Sequence, residues 1–232
     1  MNRLALLMLA VLLSSTPAGA YSIVWGAMVD SWCGVDVWAA GHTGSQSASD
    51  SGPAFAYAEA WYEHGFASGS AGVATDGAGT SGYGNDSDYP GLGNYSARAE
   101  MSRWFRVIGG SGQVGVSLTG WTSQEVYSWT SYDSAAGWTF GVDGVSEIGE
   151  SWGPDHSVWS DHAWEWTGNL EYGRAYVARG VTWSGVSGGS GFSSLRLDAP
   201  TEAQPVPEPA SLLLLGLGLL PLAWRRRCSM PR

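Results

Sequence analysis

Lysine is absent from this chain: all 11 basic residues are arginines, set against 21 aspartates and glutamates, for a net charge of −10. An acidic surface repels phosphate backbones, so the composition argues against nucleic-acid binding. Cysteine is scarce, with only Cys33 and Cys228, which leaves no basis for a disulfide framework. Cys33 sits between Trp32 and Gly34 beside Val35 and Val37, and is expected to be a buried, inert thiol. No long stretch repeats its apolar residues at the helical period. A His-Glu-x-x-His helix and a phosphate-binding glycine loop are missing, and with them the commonest motif-borne metallopeptidase and nucleotide chemistries. No internal repeat is present.

What is there begins at the two ends. Arg3 supplies a positive start, Leu4 to Leu13 a short apolar core, and Ala18-Gly19-Ala20 an Ala-x-Ala site ahead of Tyr21. This layout predicts a signal peptide over residues 1–20, cut by signal peptidase after Ala20. Near the C-terminus, Val206-Pro207-Glu208-Pro209 leads into an apolar run that closes at Trp224 and is stopped by Arg225-Arg226-Arg227. Ala210 to Trp224 is fifteen residues, fewer than the about 20 that span a hydrocarbon core as one helix. A spanning helix here requires local bilayer thinning, or an Arg225 side chain that snorkels to the surface. The arginines are expected on the cytoplasmic side, which places everything before them outside the inner membrane. Pro207 and Pro209 favour an extended backbone, suited to the grip of a processing enzyme.

Together, Val206 to Pro209, the apolar run and Arg225 to Arg227 resemble the PEP-CTERM sorting signal of Gram-negative bacteria. The resemblance covers about the last tenth of the chain, and Cys228 to Arg232 extend beyond the pattern. It implies recognition by an exosortase, a membrane cysteine peptidase-like enzyme. It further implies a transient membrane anchor, removal of the tail, and delivery to the cell surface or extracellular matrix, in association with exopolysaccharide and biofilm. A sortase signal would need Leu-Pro-x-Thr-Gly, which is missing, and a eukaryotic lipid-anchor signal normally lacks terminal arginines. Setting aside Arg3, Arg225, Arg226, Arg227, Arg232 and Glu208 leaves six arginines against twenty acids, a net charge of −14 for the mature chain.

The middle reads as an all-β, antiparallel β-sandwich domain of jelly-roll type over residues 21–198, with a linker over 199–205 before the tail of residues 206–232. Tyr95, Ala97, Ala99, Met101, Phe105 and Val107 alternate with polar residues, as do Val114, Val116 and Leu118, the period of half-buried strands. Gly109-Gly110-Ser111-Gly112 between them predicts a hairpin turn. Further strands are expected over Ala54 to Trp61, Glu125 to Thr130, Trp138 to Asp143, Val158 to Trp166, Arg174 to Trp183 and Phe192 to Leu197. Gly65 to Gly93 holds few large apolar residues and predicts a long glycine-rich loop.

Chemistry is thinly signalled in this domain. Asp155-His156 and Asp161-His162 supply metal-ligand types, but six residues of extended chain separate the histidines by about 20 Å, so no metal or cofactor is expected. Glu147, Glu150, Glu165 and Glu171 lie in a tryptophan-rich half, and paired carboxylates are what glycoside hydrolysis requires. Random acid pairs abound in so acidic a chain, and an enzyme is not expected. Trp121, Trp129, Trp138, Trp152, Trp159, Trp164, Trp166 and Trp183 either fill the core or present a face on which sugar rings stack. Trp164 and Trp166 share one side of a strand and Trp159 takes the other. The leading expectation is a non-enzymatic surface or matrix protein. A carbohydrate-binding module and a polysaccharide hydrolase are the alternatives.

Overall fold

A computed structural model describes residues 21–62, 65–86, 93–128, 134–153 and 158–198. The chain forms twelve strands: β1 (Ser22–Ala39), β2 (His42–Asp50), β3 (Ala54–Tyr62), β4 (Gly65–Ala74), β5 (Gly77–Asp86), β6 (Gly93–Ile108), β7 (Gln113–Ser128), β8 (Ala135–Val142), β9 (Ser146–Trp152), β10 (Val158–Glu171), β11 (Ala175–Ser187) and β12 (Gly189–Leu197). No helix occurs among the described residues. The strands make two antiparallel sheets of six, ordered β2-β1-β6-β11-β8-β9 and β10-β7-β12-β5-β4-β3.

The pairing is nested. β8 pairs with β9 in the first sheet, β7 with β10 in the second, β6 with β11 in the first and β5 with β12 in the second. A long hairpin wound alternately onto two faces has this connectivity, which is that of an eight-stranded jelly roll. The chain before it adds β1 and β2 to one sheet and β3 and β4 to the other.

The expected strands are all found where they lie within the described residues, and Tyr95, Ala97, Ala99, Met101, Phe105 and Val107 are all buried. Two expectations are corrected. The strands on either side of Gly109-Gly110-Ser111-Gly112 do not form a hairpin: β6 belongs to the first sheet and β7 to the second. Alternation marks one buried face per strand, and two strands facing each other across a core satisfy it as well as two lying side by side. The turn is an arch between sheets, held by Tyr172 N–H to the Gly112 carbonyl (2.9 Å) and Gly173 N–H to the Val107 carbonyl (2.8 Å).

The second correction concerns Gly65 to Gly93, most of which is strand, β4 and β5. Its inward residues are small because the opposing sheet fills the gap. A Cβ on Gly69 would stand 2.6 Å from Val35 Cγ1, and one on Gly82 would enter the ring of Tyr95. The absence of large apolar side chains, read from sequence as exposure, is here a consequence of close approach. Toward β8 and β10 the core residues become large: Trp138, Phe140, Trp164 and Trp166 are buried, with Phe140 and Trp164 centroids 4.5 Å apart. The interior therefore grades from alanine, glycine and valine at one side to aromatics at the other. Cys33 is fully buried and free, as expected, and burial raises its thiol pKa.

Candidate functional site

Val206, Pro207, Glu208 and Pro209, the arginines Arg225, Arg226 and Arg227, and Ala18 and Ala20 lie outside the described residues, as do Trp129, Asp155 and His156. The site that the fold does present is built from the outer face of the second sheet.

The tryptophans divide by strand side. Trp138, Trp164 and Trp166 are core, whereas Trp159 is 72% exposed and Trp121 46%. On β10 this is the expected split, with Trp159 opposite Trp164 and Trp166. Trp61 on β3 and Trp121 on β7 share the outer face of the second sheet with Trp159. Trp152 and Trp183 are half-buried in the first sheet. The sequence reading overlooked Phe55, Trp61 and Phe192. The signal was available in β3, where Ala54, Ala56, Ala58 and Ala60 are buried while Phe55, Tyr57 and Trp61 are exposed. The small residues face the narrow core, so the alternation runs with its large members outward.

Register turns these residues into rows crossing the strands. One row runs Trp159, Glu125, Phe192, Ser81, Ser70 and Tyr57 through all six strands. The next, two residues along each strand, runs Asp161, Ser123, Ser194, Gly79, Gly72 and Phe55. Beyond that come Ala163, Trp121, Arg196 and Gly77. The middle row is low ground, since Ser123, Ser194, Gly79 and Gly72 carry little or no side chain. It is bordered by Trp159, Phe192 and Tyr57 on one side and by Trp121 and Arg196 on the other. A groove of about 500 Å³ occupies its end, lined by Phe55, Gly72, Gly77, Gly79 and Arg196 among others. Strands lie about 4.8 Å apart, so the full row is roughly 24 Å long, a length suited to a linear polymer rather than a compact ligand.

Several of its side chains are held in place. The Trp121 indole N–H donates to Asp161, the Tyr57 hydroxyl donates to Glu59 at 2.9 Å, and Ser70 and Ser81 hydroxyls share a bond of 2.8 Å. Trp61 stacks on Phe66 at 5.1 Å, which leans on Tyr83 at 5.3 Å. Arg196 is engaged by Asp76 at 3.4 Å. The face thus combines exposed aromatics with Glu59, Glu125, Asp161 and Glu165, whereas Arg98, Arg106 and Arg179 stand on the outer face of the first sheet.

The four glutamates singled out from the sequence are dispersed over the two edge strands β9 and β10. Glu165 accepts the Ser117 hydroxyl at 2.6 Å, and Glu171 lies 3.7 Å from Arg174. Glu150 lies 3.3 Å from His162 Nε2, and Ser160 shares a 3.0 Å bond with His162 Nδ1. This chain of contacts ties β9 to β10 across the side of the sandwich where the wide core meets solvent. Glu147 is exposed on β9. Among the described residues no group of three or more metal-ligand side chains converges.

Comparison with curated proteins returns no match, and comparison with solved structures returns none. A family model does match the C-terminal segment, over residues 205–227. The chain carries the PEP-CTERM protein-sorting motif, which marks it as an exported protein processed by an exosortase at the membrane.

Proposed function

We propose that the β domain is a non-enzymatic component of the surface or extracellular matrix of a Gram-negative bacterium, associated with exopolysaccharide, released there after signal peptidase and exosortase have acted. The observation that carries this reading is the sorting motif at residues 205–227, joined to an acidic chain with an apolar leader. The tail holds the domain at the inner membrane until cleavage, with the arginine cluster as the cytoplasmic stop. The test is fractionation of cells carrying Pro207, Glu208 and Pro209 changed to alanine. A larger, membrane-held form is expected. Normal maturation and release of the altered chain would overturn the sorting role.

A second reading, favoured by the groove, adds that the domain binds polysaccharide. Sugar rings present CH-rich faces that stack on aromatic rings, and hydroxyls that pair with carboxylates and serines. A linear glycan laid across the second sheet fits the low row between Trp159, Phe192 and Tyr57 on one side and Trp121 on the other. Gly79 offers a direct test, because a Cβ there meets nothing closer than the Ser193 carbonyl at 3.7 Å. Gly79→Leu fills the groove without displacing the backbone. Tryptophan fluorescence titrated with a glycan panel is expected to shift with at least one polymer for the parent, and to lose that response in Gly79→Leu. No release of reducing sugar is expected from either.

A further inference from the structure

We propose that the low row crossing the second sheet selects polysaccharides bearing free amines, holding protonated amino sugars in a box of aromatic rings and carboxylates over Ser123, at the β7–β10 end of the row away from the groove. The inference rests on the polysaccharide-binding reading above and names the chemistry of its ligand. Ser123 on β7 has Trp121 and Glu125 as its neighbours along the strand on the same face, and Asp161 as its partner on β10. Trp159 stands beside Glu125 in register and diagonal to Ser123. Diagonal neighbours across a strand pair lie about 7–8 Å apart. An ammonium placed above Ser123 is therefore within reach of two carboxylates and two indoles, with Arg196, paired to Asp76, at the matching diagonal on the β12 side.

That composition is selective. Carboxylates attract an ammonium by charge and by hydrogen bonding, and an indole face attracts it through the ring quadrupole. Asp161 already accepts the indole N–H of Trp121, so one of its oxygens orients the ring while the other stays available. Glu125 is exposed and needs no rearrangement to pair. The same pairing of ring and acid recurs at the far end of the row, where the Tyr57 hydroxyl donates to Glu59. A polymer with repeated amines can thus engage both ends at once. Arg196, the cation that lines the groove, is offset by Asp76 at 3.4 Å. Acidic polysaccharides meet Glu59, Glu125, Asp161 and Glu165 on this face and are repelled. The charge complementarity is local to the second sheet, since Arg98, Arg106 and Arg179 lie on the first.

The test uses the full chain in detergent, titrated with chitosan oligosaccharides, with their fully N-acetylated counterparts of equal length, and with alginate oligosaccharides. The free-amine oligomer is expected to bind at least tenfold more tightly than the acetylated one and to weaken with added salt, and alginate is expected not to bind. Glu125→Gln combined with Asp161→Asn should bring the free-amine oligomer down to the acetylated level. Asp36→Asn combined with Glu147→Gln removes as much charge away from the groove and should change nothing. Equal losses from the two double variants would show that bulk acidity is responsible and would overturn the box. Equal affinity for free and acetylated oligomers, abolished by Trp121→Ala with Trp159→Ala, would overturn the amine assignment while leaving the groove reading intact. Failure of all three glycans to bind would overturn the amine assignment, and the groove reading falls only if the wider glycan panel also gives no response.

Discussion

Single residues in this protein are legible mainly through what stands opposite them. Gly69 and Gly79 are both glycines of β4 and β5, two strands of one sheet, yet they face opposite ways. A side chain on Gly69 meets Val35 Cγ1 at 2.6 Å and Tyr95 Cδ2 at 3.4 Å, whereas Gly79 faces the open groove. Gly69→Val is expected to destabilise the domain by about 1–3 kcal/mol through overpacking. Gly79→Val should leave stability equal or raise it by up to about 1 kcal/mol, because a β-branched side chain suits a strand with room above it. Urea midpoints of the two variants check both. Tyr95 allows a prediction on pH. Its hydroxyl donates to the Gly191 carbonyl at 2.6 Å, and burial raises its pKa above the ordinary phenol value. The unfolded state then loses this proton first, so the stabilisation is whole below about pH 10 and is lost progressively as pH climbs above that value toward the raised pKa of the folded state. Tyr95→Phe should flatten this alkaline fall in urea midpoint, while itself costing about 1 kcal/mol near neutrality for the lost hydrogen bond.

At the level of elements, the wide side of the sandwich is where stability concentrates. Trp166 on β10 is fully buried, with its indole N–H on the Ser146 carbonyl at 3.1 Å. Trp166→Ala is expected to cost about 3–5 kcal/mol, read as a large drop in urea midpoint. The contact between Glu150 on β9 and His162 on β10 behaves differently, being 44% and 35% exposed. A pair so open to water contributes less than about 1 kcal/mol. His162→Ala should therefore barely move the midpoint but should speed amide hydrogen exchange around Glu150 in β9, an edge strand that this contact ties to the second sheet beside the Trp166–Ser146 bond. The strands themselves were readable where large apolar residues alternate, as in β6 and β12. β4 and β5 were not, because alternation between alanine, glycine and serine carries almost no hydrophobic contrast.

The molecule as a whole separates address from action. The sorting motif is a linear signal at residues 205–227, whereas the groove is lined by residues of the described β domain. The domain's thiol should be uninvolved in either: Cys33 is buried, and its peptide is expected to resist alkylation in the native state and to label only after denaturant is added, as mass spectrometry would read. Its two outer faces differ in kind. The first sheet carries Arg98 and Arg179 around Glu100, at 3.5 and 3.6 Å, beside the exposed Trp32 and Trp104, while the second carries the more exposed Phe55, Trp61 and Trp159 with Glu125 and Asp161. On the function proposed above, the second-sheet face is the one that recognises a ligand and the first-sheet face is the one whose arginines are paired.

The sorting motif was decided by the sequence alone, since a short linear signal read by an enzyme needs only proline-constrained backbone, an apolar run and a basic stop in order. The strands in which large apolar residues alternate, β6 and β12 among them, and the side that each of those residues takes were likewise local matters, set by a period of two. Which strands pair was not, because β5 to β12 nest across separations of up to the whole roll, and no local pattern distinguishes a hairpin from an arch. The groove belongs to the same category. Its floor comes from residues too small to signal anything singly, and Trp159, Phe192 and Tyr57 become one border only when register brings three distant strands into one sheet.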